Sequence, residues 1–130
     1  MDTIRTDCLV IGAGLAGLTL ASRLAPTHDV TVFEKARGPG GRMSTRRADP
    51  FAFDHGAQYF TAETTEFRAF LDRLDANDLI ASWPTAIDLR DGARVSSKPK
   101  WVAAPSMNAI CKWLAREVEV RTQTHITRLI

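Results

Sequence analysis

The stretch Cys8-Leu9-Val10-Ile11-Gly12-Ala13-Gly14-Leu15-Ala16-Gly17-Leu18 decides how this chain folds. An apolar run rich in Val, Ile and Leu meets glycines spaced G-x-G-x-x-G, and a helical pattern follows at once. That order predicts a strand, a tight turn and a helix, the layout of a dinucleotide site. Gly12 permits the turn and Gly14 lets the backbone approach a pyrophosphate. Gly17 lets the helix sit close to the strand, so that free N–H groups at the helix start face the phosphates. Three glycines at this spacing are weak evidence alone. Glu34 strengthens them, because it lies about 20 residues beyond the turn, where a carboxylate binds a ribose hydroxyl.

Outward from the turn, Leu15, Leu18, Ser22 and Ala25 form a mostly apolar stripe at helical spacing, and Pro26 stops it. Asp29-Val30-Thr31-Val32-Phe33 then predicts a second buried strand parallel to the first, spanning roughly Asp7 to Ile11, with Glu34 at the carboxyl end where open α/β sheets bind ligands. Arg37-Gly38-Pro39-Gly40-Gly41-Arg42 reads as a loop that is neither helix nor strand. Its glycines allow a second close backbone approach, and Arg42 is placed to reach a phosphate or a stacked ring. A solvated surface turn is the plainer alternative. The position directly after Glu34 favours the functional reading.

Phe51 to Phe60 alternates loosely, with Asp54-His55-Gly56-Ala57-Gln58-Tyr59-Phe60 as a short extended segment and a close approach at Gly56. A lone His55 is more often a packed or exposed residue than a catalyst. Thr64 or Thr65 caps a helix whose face is Phe67, Phe70, Leu71 and Leu74, ending near Asn77, and this stripe reads as core. Leu79 to Trp83 predicts a strand, and Asp91-Gly92 between Ile87–Arg90 and Ala93–Val95 predicts a hairpin. Such strands imply a second, antiparallel layer inserted into the nucleotide sheet. Ser106 is a candidate cap for a helix with Met107, Ile110, Cys111 and Leu114 on one face. Val118-Glu119-Val120-Arg121 reads as a strand, and Ile126 to Ile130 as the start of another.

Composition bounds the function classes. With 130 residues, 45% hydrophobic and 25% charged, the chain is an ordinary globular composition with enough length for one core. A net charge of +2 does not by itself mark a nucleic-acid binder. Lys35, Arg37, Arg42, Arg46 and Arg47 nevertheless cluster with no acid between them, a set able to meet cofactor phosphates, nucleic acid or solvent. The glycine turn ahead of it favours cofactor phosphates. Cys8 and Cys111 form no C-x-x-C pair and read as small buried thiols of a reducing compartment. The acid-bearing start Met1–Asp7 lacks a signal-peptide layout, and the uncharged run Cys8–Ser22 is shorter than the roughly 20 residues of a membrane span. A cytoplasmic protein without metal, nucleic-acid or membrane partner is the expectation.

These residues carry a resemblance. Gly12-Ala13-Gly14-Leu15-Ala16-Gly17-Leu18, Val32-Phe33-Glu34-Lys35, Gly40-Gly41-Arg42-Met43-Ser44, Asp54-His55-Gly56-Ala57-Gln58-Tyr59-Phe60, then Trp101-Val102 and Pro105-Ser106-Met107 resemble the amino-terminal part of the flavin-dependent amine-oxidase superfamily. The bacterial renalase-like branch is the most similar, through Gly-Arg-Met-Ser with Gly-Ala-Gln-Tyr-Phe. The resemblance spans essentially the whole chain. It implies an α/β fold, with a Rossmann-like FAD-binding βαβ core and part of an inserted antiparallel layer beginning near residues 79–103. It implies FAD along Gly12, Ala13, Gly14, Leu15 and Ala16, with Gly17 packing the helix, Glu34 and Lys35 at the adenosine ribose, and Gly41 and Arg42 at the phosphates or ribityl chain. Gly56, Ala57, Gln58 and Tyr59 are implied near the flavin ring, and Ile126 at the adenine.

The implied chemistry is oxidation of isomeric reduced nicotinamide dinucleotides, with the flavin reoxidised by oxygen to give hydrogen peroxide. Such chemistry needs no catalytic acid–base pair or metal cluster from the protein, and none stands out. An amine or unsaturated hydrocarbon as substrate, or a non-catalytic nucleotide-binding remnant, are the alternative readings. Members of the superfamily are much longer than this chain. The expectation is therefore an incomplete portion whose uncovered sheet edges favour self-association.

Overall fold

The computed structural model describes residues 4–83 and 98–128. The hairpin expected around Asp91-Gly92 lies outside the described residues. The centre is a parallel sheet in the order β1-β2-β7, formed by β1 (Cys8–Ile11), β2 (Val30–Phe33) and β7 (Glu119–Arg121). β1 pairs Cys8 with Val30 and Ile11 with Phe33, while β2 pairs Thr31 with Glu119 and Phe33 with Arg121. β2 is buried at every position because it has a neighbour on each side. Its Val-Thr-Val-Phe run is the continuous, β-branched pattern of a central parallel strand.

α1 (Leu15–Leu24) joins β1 to β2, and α3 (Ala109–Ala115) leads into β7 and packs on α1. Leu18 and Ala21 from α1 meet Ile110, Cys111 and Leu114 from α3 over Val10, Val30 and Val32, so both helices cover one face of the sheet. Leu18 is fully buried, which at its size is worth about 1.5–3 kcal/mol. On β1, Val10 points into this core, whereas Leu9 and Ile11 point the other way and are 42% and 54% exposed.

The long connection from β2 to α3 carries two antiparallel pairs. β3 (Thr45–Ala48) and β4 (Phe51–Asp54) form a hairpin in which Thr45 faces Asp54 and Arg46 faces Phe53. The sequence had shown an arginine cluster and a loose extended run here, not a hairpin. β5 (Ile80–Ser82) pairs antiparallel with β6 (Trp101–Ala103), giving the expected second layer. Between the pairs lies α2 (Thr65–Asp75), capped by the Thr64 hydroxyl, which accepts from the Phe67 amide at 3.1 Å. Its buried Leu71 and Leu74 join the core, and Phe67 packs edge-on against Phe60 and Phe70.

Two expectations need correction. Ser106 does not cap α3: the residue ahead of the helix is Asn108, without a side-chain cap bond, and the Ser106 hydroxyl donates to Asn108 Oδ1 instead. Residues 126–128 are not a strand, since the chain after β7 bonds irregularly to the end of β2, Gln123 N–H to Ala36 C=O and Thr124 N–H to Glu34 C=O.

Candidate dinucleotide-binding site

The site begins where β1 stops. Gly12 turns the chain with φ 101°, a region L side chains avoid, and a Cβ built on it meets nothing within 4 Å. A ligand can therefore come directly onto the backbone. A Cβ on Gly17 would stand 2.2 Å from the Gly12 carbonyl oxygen, so α1 rests on the turn itself. The residue ahead of α1, Gly14, offers no capping side chain, and the first turn holds no acid. The N–H groups of Leu15, Ala16 and Gly17 thus have no intrahelical acceptor and give the cleft a partial positive charge.

A second wall comes from the loop after β2. Gly40 N–H donates to Ala13 C=O at 2.9 Å, and Gly40 forms a parallel bridge with Gly14. A Cβ on Gly41 would stand 3.2 Å from Gly14 Cα. The loop was expected to hold no helix, yet Gly41–Met43 makes one 3-10 turn closed by Met43 N–H to Gly40 C=O. Gly40 at φ 151° and Gly41 at φ 56° make that tight turn available. Downstream, the Ala57 amide donates to the Arg42 carbonyl at 2.9 Å. Between these walls lies an open cleft of about 980 Å3.

Glu34 closes the far end. It is only 7% exposed, and its carboxylate accepts from Ala13 N–H at 2.7 Å and from Ala36 N–H at 2.8 Å. Two charge-assisted bonds of this kind satisfy a buried carboxylate. They also tie this end of the cleft to the glycine turn, while lone pairs on both oxygens remain for a ligand hydroxyl.

Of the residues picked from the sequence, Gly12, Gly14, Leu15, Ala16 and Gly17 line this cleft together. So do Glu34, Lys35, Gly41, Arg42 and Ala57. Ala13 is fully buried and contributes through its N–H and C=O alone. Gly56 stands behind the Arg42 carbonyl, and Gln58, Tyr59 and the half-buried Ile126 are not brought to the cleft wall. Tyr59 is instead exposed, with the Lys100 ammonium 4.6 Å from its ring centre. His55 is exposed and outside the cleft.

The cleft has five further wall residues: Ile11, Ala36, Gly40, Met43 and Ser44. Gly40 had a signal in the doubled glycine, and Ala36 had one in its place two residues after Glu34. Lys35 and Arg42 are exposed, and among the described residues neither pairs with a carboxylate. They add cationic charge to the cleft wall. Beneath it the Cys111 thiol faces the Gly40 carbonyl at 3.8 Å, and burial pushes its pKa up to about 11. It stays a protonated thiol at neutral pH.

Comparison with known proteins shows the family of the β1–α1–β2 region. The family model for NAD(P)-binding Rossmann-like domains matches residues 10–74, half of the chain. The 4,4'-diapophytoene desaturase of Staphylococcus aureus (strain Newman) is 52% identical over 48 residues, which are 36% of this chain and 10% of the desaturase. A structure of a double mutant from the redesign of cofactor binding in putrescine oxidase superposes with TM-score 0.51 and 27% identity, over 67% of this chain and 19% of that one. An oxidoreductase from Methanosarcina mazei superposes with TM-score 0.47 and 28% identity, over 66% of this chain and 22% of that one. The match thus spans a tenth of the length of the curated relatives.

Proposed function

Since the chain belongs to the NAD(P)-binding Rossmann-like domain family, we propose that it is the cofactor-binding portion of an FAD-dependent oxidoreductase of the flavin amine-oxidase superfamily. The cofactor is FAD. One observation carries this reading: the Gly40–Arg42 loop closes onto the Gly12–Gly14 turn through the Gly14–Gly40 bridge and the Ala13–Gly40 bond. A single glycine turn offers a dinucleotide one backbone wall. This chain offers two, with a basic side chain on the second and a cleft of about 980 Å3 between them.

The residues present fit such a group. Open space over Gly12 admits a pyrophosphate to the backbone, and the free amides of Leu15, Ala16 and Gly17 supply hydrogen bonds to it. Glu34 would accept from the adenosine ribose, and Lys35 would lie beside that ribose. Arg42 neutralises phosphate charge from the opposite wall. On the resemblance, Gly56 to Tyr59 would lie toward the flavin ring, Ile126 toward the adenine and the β5–β6 layer on the substrate side, with Gln58, Tyr59 and Ile126 beyond the wall of this cleft. The chemistry that the group supplies when bound is acceptance of a hydride from the substrate, with oxygen as the final acceptor and hydrogen peroxide as product. The protein's part is to bind, orient and surround it with charge.

For the substrate we favour the renalase type, an isomeric reduced nicotinamide dinucleotide, on the Gly40-Gly41-Arg42-Met43-Ser44 and Gly56-Ala57-Gln58-Tyr59-Phe60 runs, in a cytoplasmic setting. The desaturase and putrescine oxidase likenesses support a second reading, with an unsaturated hydrocarbon or an amine as substrate. Absorbance and fluorescence of the purified protein test the cofactor: a yellow preparation, or quenching of added FAD on titration, is expected. Colourless protein that leaves FAD free in solution sinks the reading. Peroxide release from nicotinamide isomers against amines, assayed in a longer relative, separates the two substrate classes.

A further inference from the structure

The hairpin β3–β4 is exposed on both faces, yet its open end is tied to the interior by one carboxylate. Asp54 Oδ1 accepts from the Thr45 hydroxyl at 2.6 Å and from the Met107 amide at 3.0 Å. The same Thr45 hydroxyl oxygen accepts from the Asn108 amide at 3.2 Å. Met107 and Asn108 are buried residues at 1% and 8% exposure, and Asp54 and Thr45 supply the acceptors for their amides. An unpaired buried amide is costly, which makes the arrangement of Asp54, Thr45 and the start of α3 a specific one.

What stands on that start is the second wall of the cleft. A Cβ on Gly40 would stand 3.5 Å from Asn108 Cβ, and Cys111 lies against the Gly40 carbonyl. Thr45 follows directly on Ser44, whose hydroxyl bonds the Gly41 carbonyl. Two residues after Asp54, Gly56 lies against the Arg42 carbonyl. The Gly40–Ser44 segment is therefore braced from below by Asn108 and from its downstream end by Thr45, and one carboxylate fixes both braces. Asp54 itself does not line the cleft.

We propose that Asp54 is a positioning residue for the cofactor. By clamping Thr45 to the Met107–Asn108 amides, it sets how far the Gly40–Arg42 loop stands from the Gly12–Gly14 turn, and hence how the phosphates are held. The proposal rests on the dinucleotide reading above. It places the effect at the phosphate end and not at the adenosine end, where Glu34 is held by Ala13 and Ala36 alone.

Calorimetric titration of ADP and of adenosine into the parent protein, Asp54→Ala, Asp54→Asn and Thr45→Val tests it. Asp54→Ala is expected to weaken ADP about tenfold and adenosine less than about twofold, the scale of one lost charge-assisted bond. Asp54→Asn keeps the accepting oxygen and restores parental ADP affinity. Thr45→Val shifts ADP in the same direction as Asp54→Ala, and decides the matter if circular dichroism shows Asp54→Ala unfolded. ADP affinity unchanged in Asp54→Ala, equal losses for ADP and adenosine, or Asp54→Asn as weak as Asp54→Ala each overturns the proposal. A parent protein that binds neither ADP nor FAD removes the dinucleotide reading and this proposal with it.

Discussion

Gly56 is pressed against the Arg42 carbonyl: a Cβ on Gly56 would stand 2.1 Å from that oxygen, and the amide of the next residue, Ala57, donates to it at 2.9 Å. No L side chain fits between two backbones this close. Gly56→Ala must push β4 away from the cleft loop, at a cost of about 1–3 kcal/mol, and weaken FAD binding with it. Gly38→Ala is the control, since a Cβ there meets nothing within 4 Å. Urea unfolding and flavin titration of the two variants should separate them, and equal behaviour would contradict the packing described.

Glu34→Gln keeps one accepting oxygen and turns an amide NH2 toward the other backbone donor. One of the bonds from Ala13 or Ala36 is then lost, at about 1–3 kcal/mol. The expected signature is faster amide hydrogen exchange at Ala13 or Ala36, with weaker adenosine binding. Unchanged exchange at both positions would show that the carboxylate does not grip the turn.

Cys111 has a thiol whose pKa is raised from its ordinary value of 9.0 to about 11 by burial. The unfolded chain releases this proton first, so as pH rises from 9 toward 11 the unfolded state binds fewer protons than the native one. Stability from this group is complete below pH 9 and is lost across that window. Thermal melts of the parent against Cys111→Ala should converge as pH climbs through it. Below it, alkylation read by mass spectrometry should label the half-buried Cys8 before Cys111.

Leu9 faces away from the helical layer on β1, which is an edge strand among the described residues. Apolar side chains beside an open strand edge favour association. Sedimentation should show weight rising with concentration. Leu9→Lys should lower that association while changing monomer stability by less than about 0.5 kcal/mol. A chain that stays monomeric at every concentration, with or without the lysine, defeats this expectation.

How much of this was legible depended on how local each cause was. The β1–α1–β2 unit is written in nearest neighbours: an apolar run, three glycines, a helical stripe and Pro26. The Thr64 cap is equally local. The β3–β4 hairpin was not visible, because Thr45–Ala48 and Phe51–Asp54 are mostly exposed on both faces and so lack any inside–outside alternation. Ser106 matched a cap by residue type, but its hydroxyl found Asn108 while the amides ahead of α3 were met by Asp54 and Thr45, more than 50 residues away. In the cleft, the glycines and Glu34 could be read off. Met43 and Ser44 as wall residues could not, since the 3-10 turn that presents them depends on how Gly40 docks against Ala13.

That docking has a consequence for how the site can vary. Where its two walls meet, main chain packs on main chain, and that close approach depends on side chains missing at Gly14, Gly17, Gly40 and Gly41. Substitution at Gly17 and Gly41 fails by occupying space, and at Gly12 by the φ of 101°, so the permitted alphabet at these glycines narrows through exclusion. A saturation library at Gly17, Gly40 and Gly41 should read as a map of forbidden volume. Glu34, Lys35 and Arg42 should stand out among the wall positions as residues defined by their chemistry.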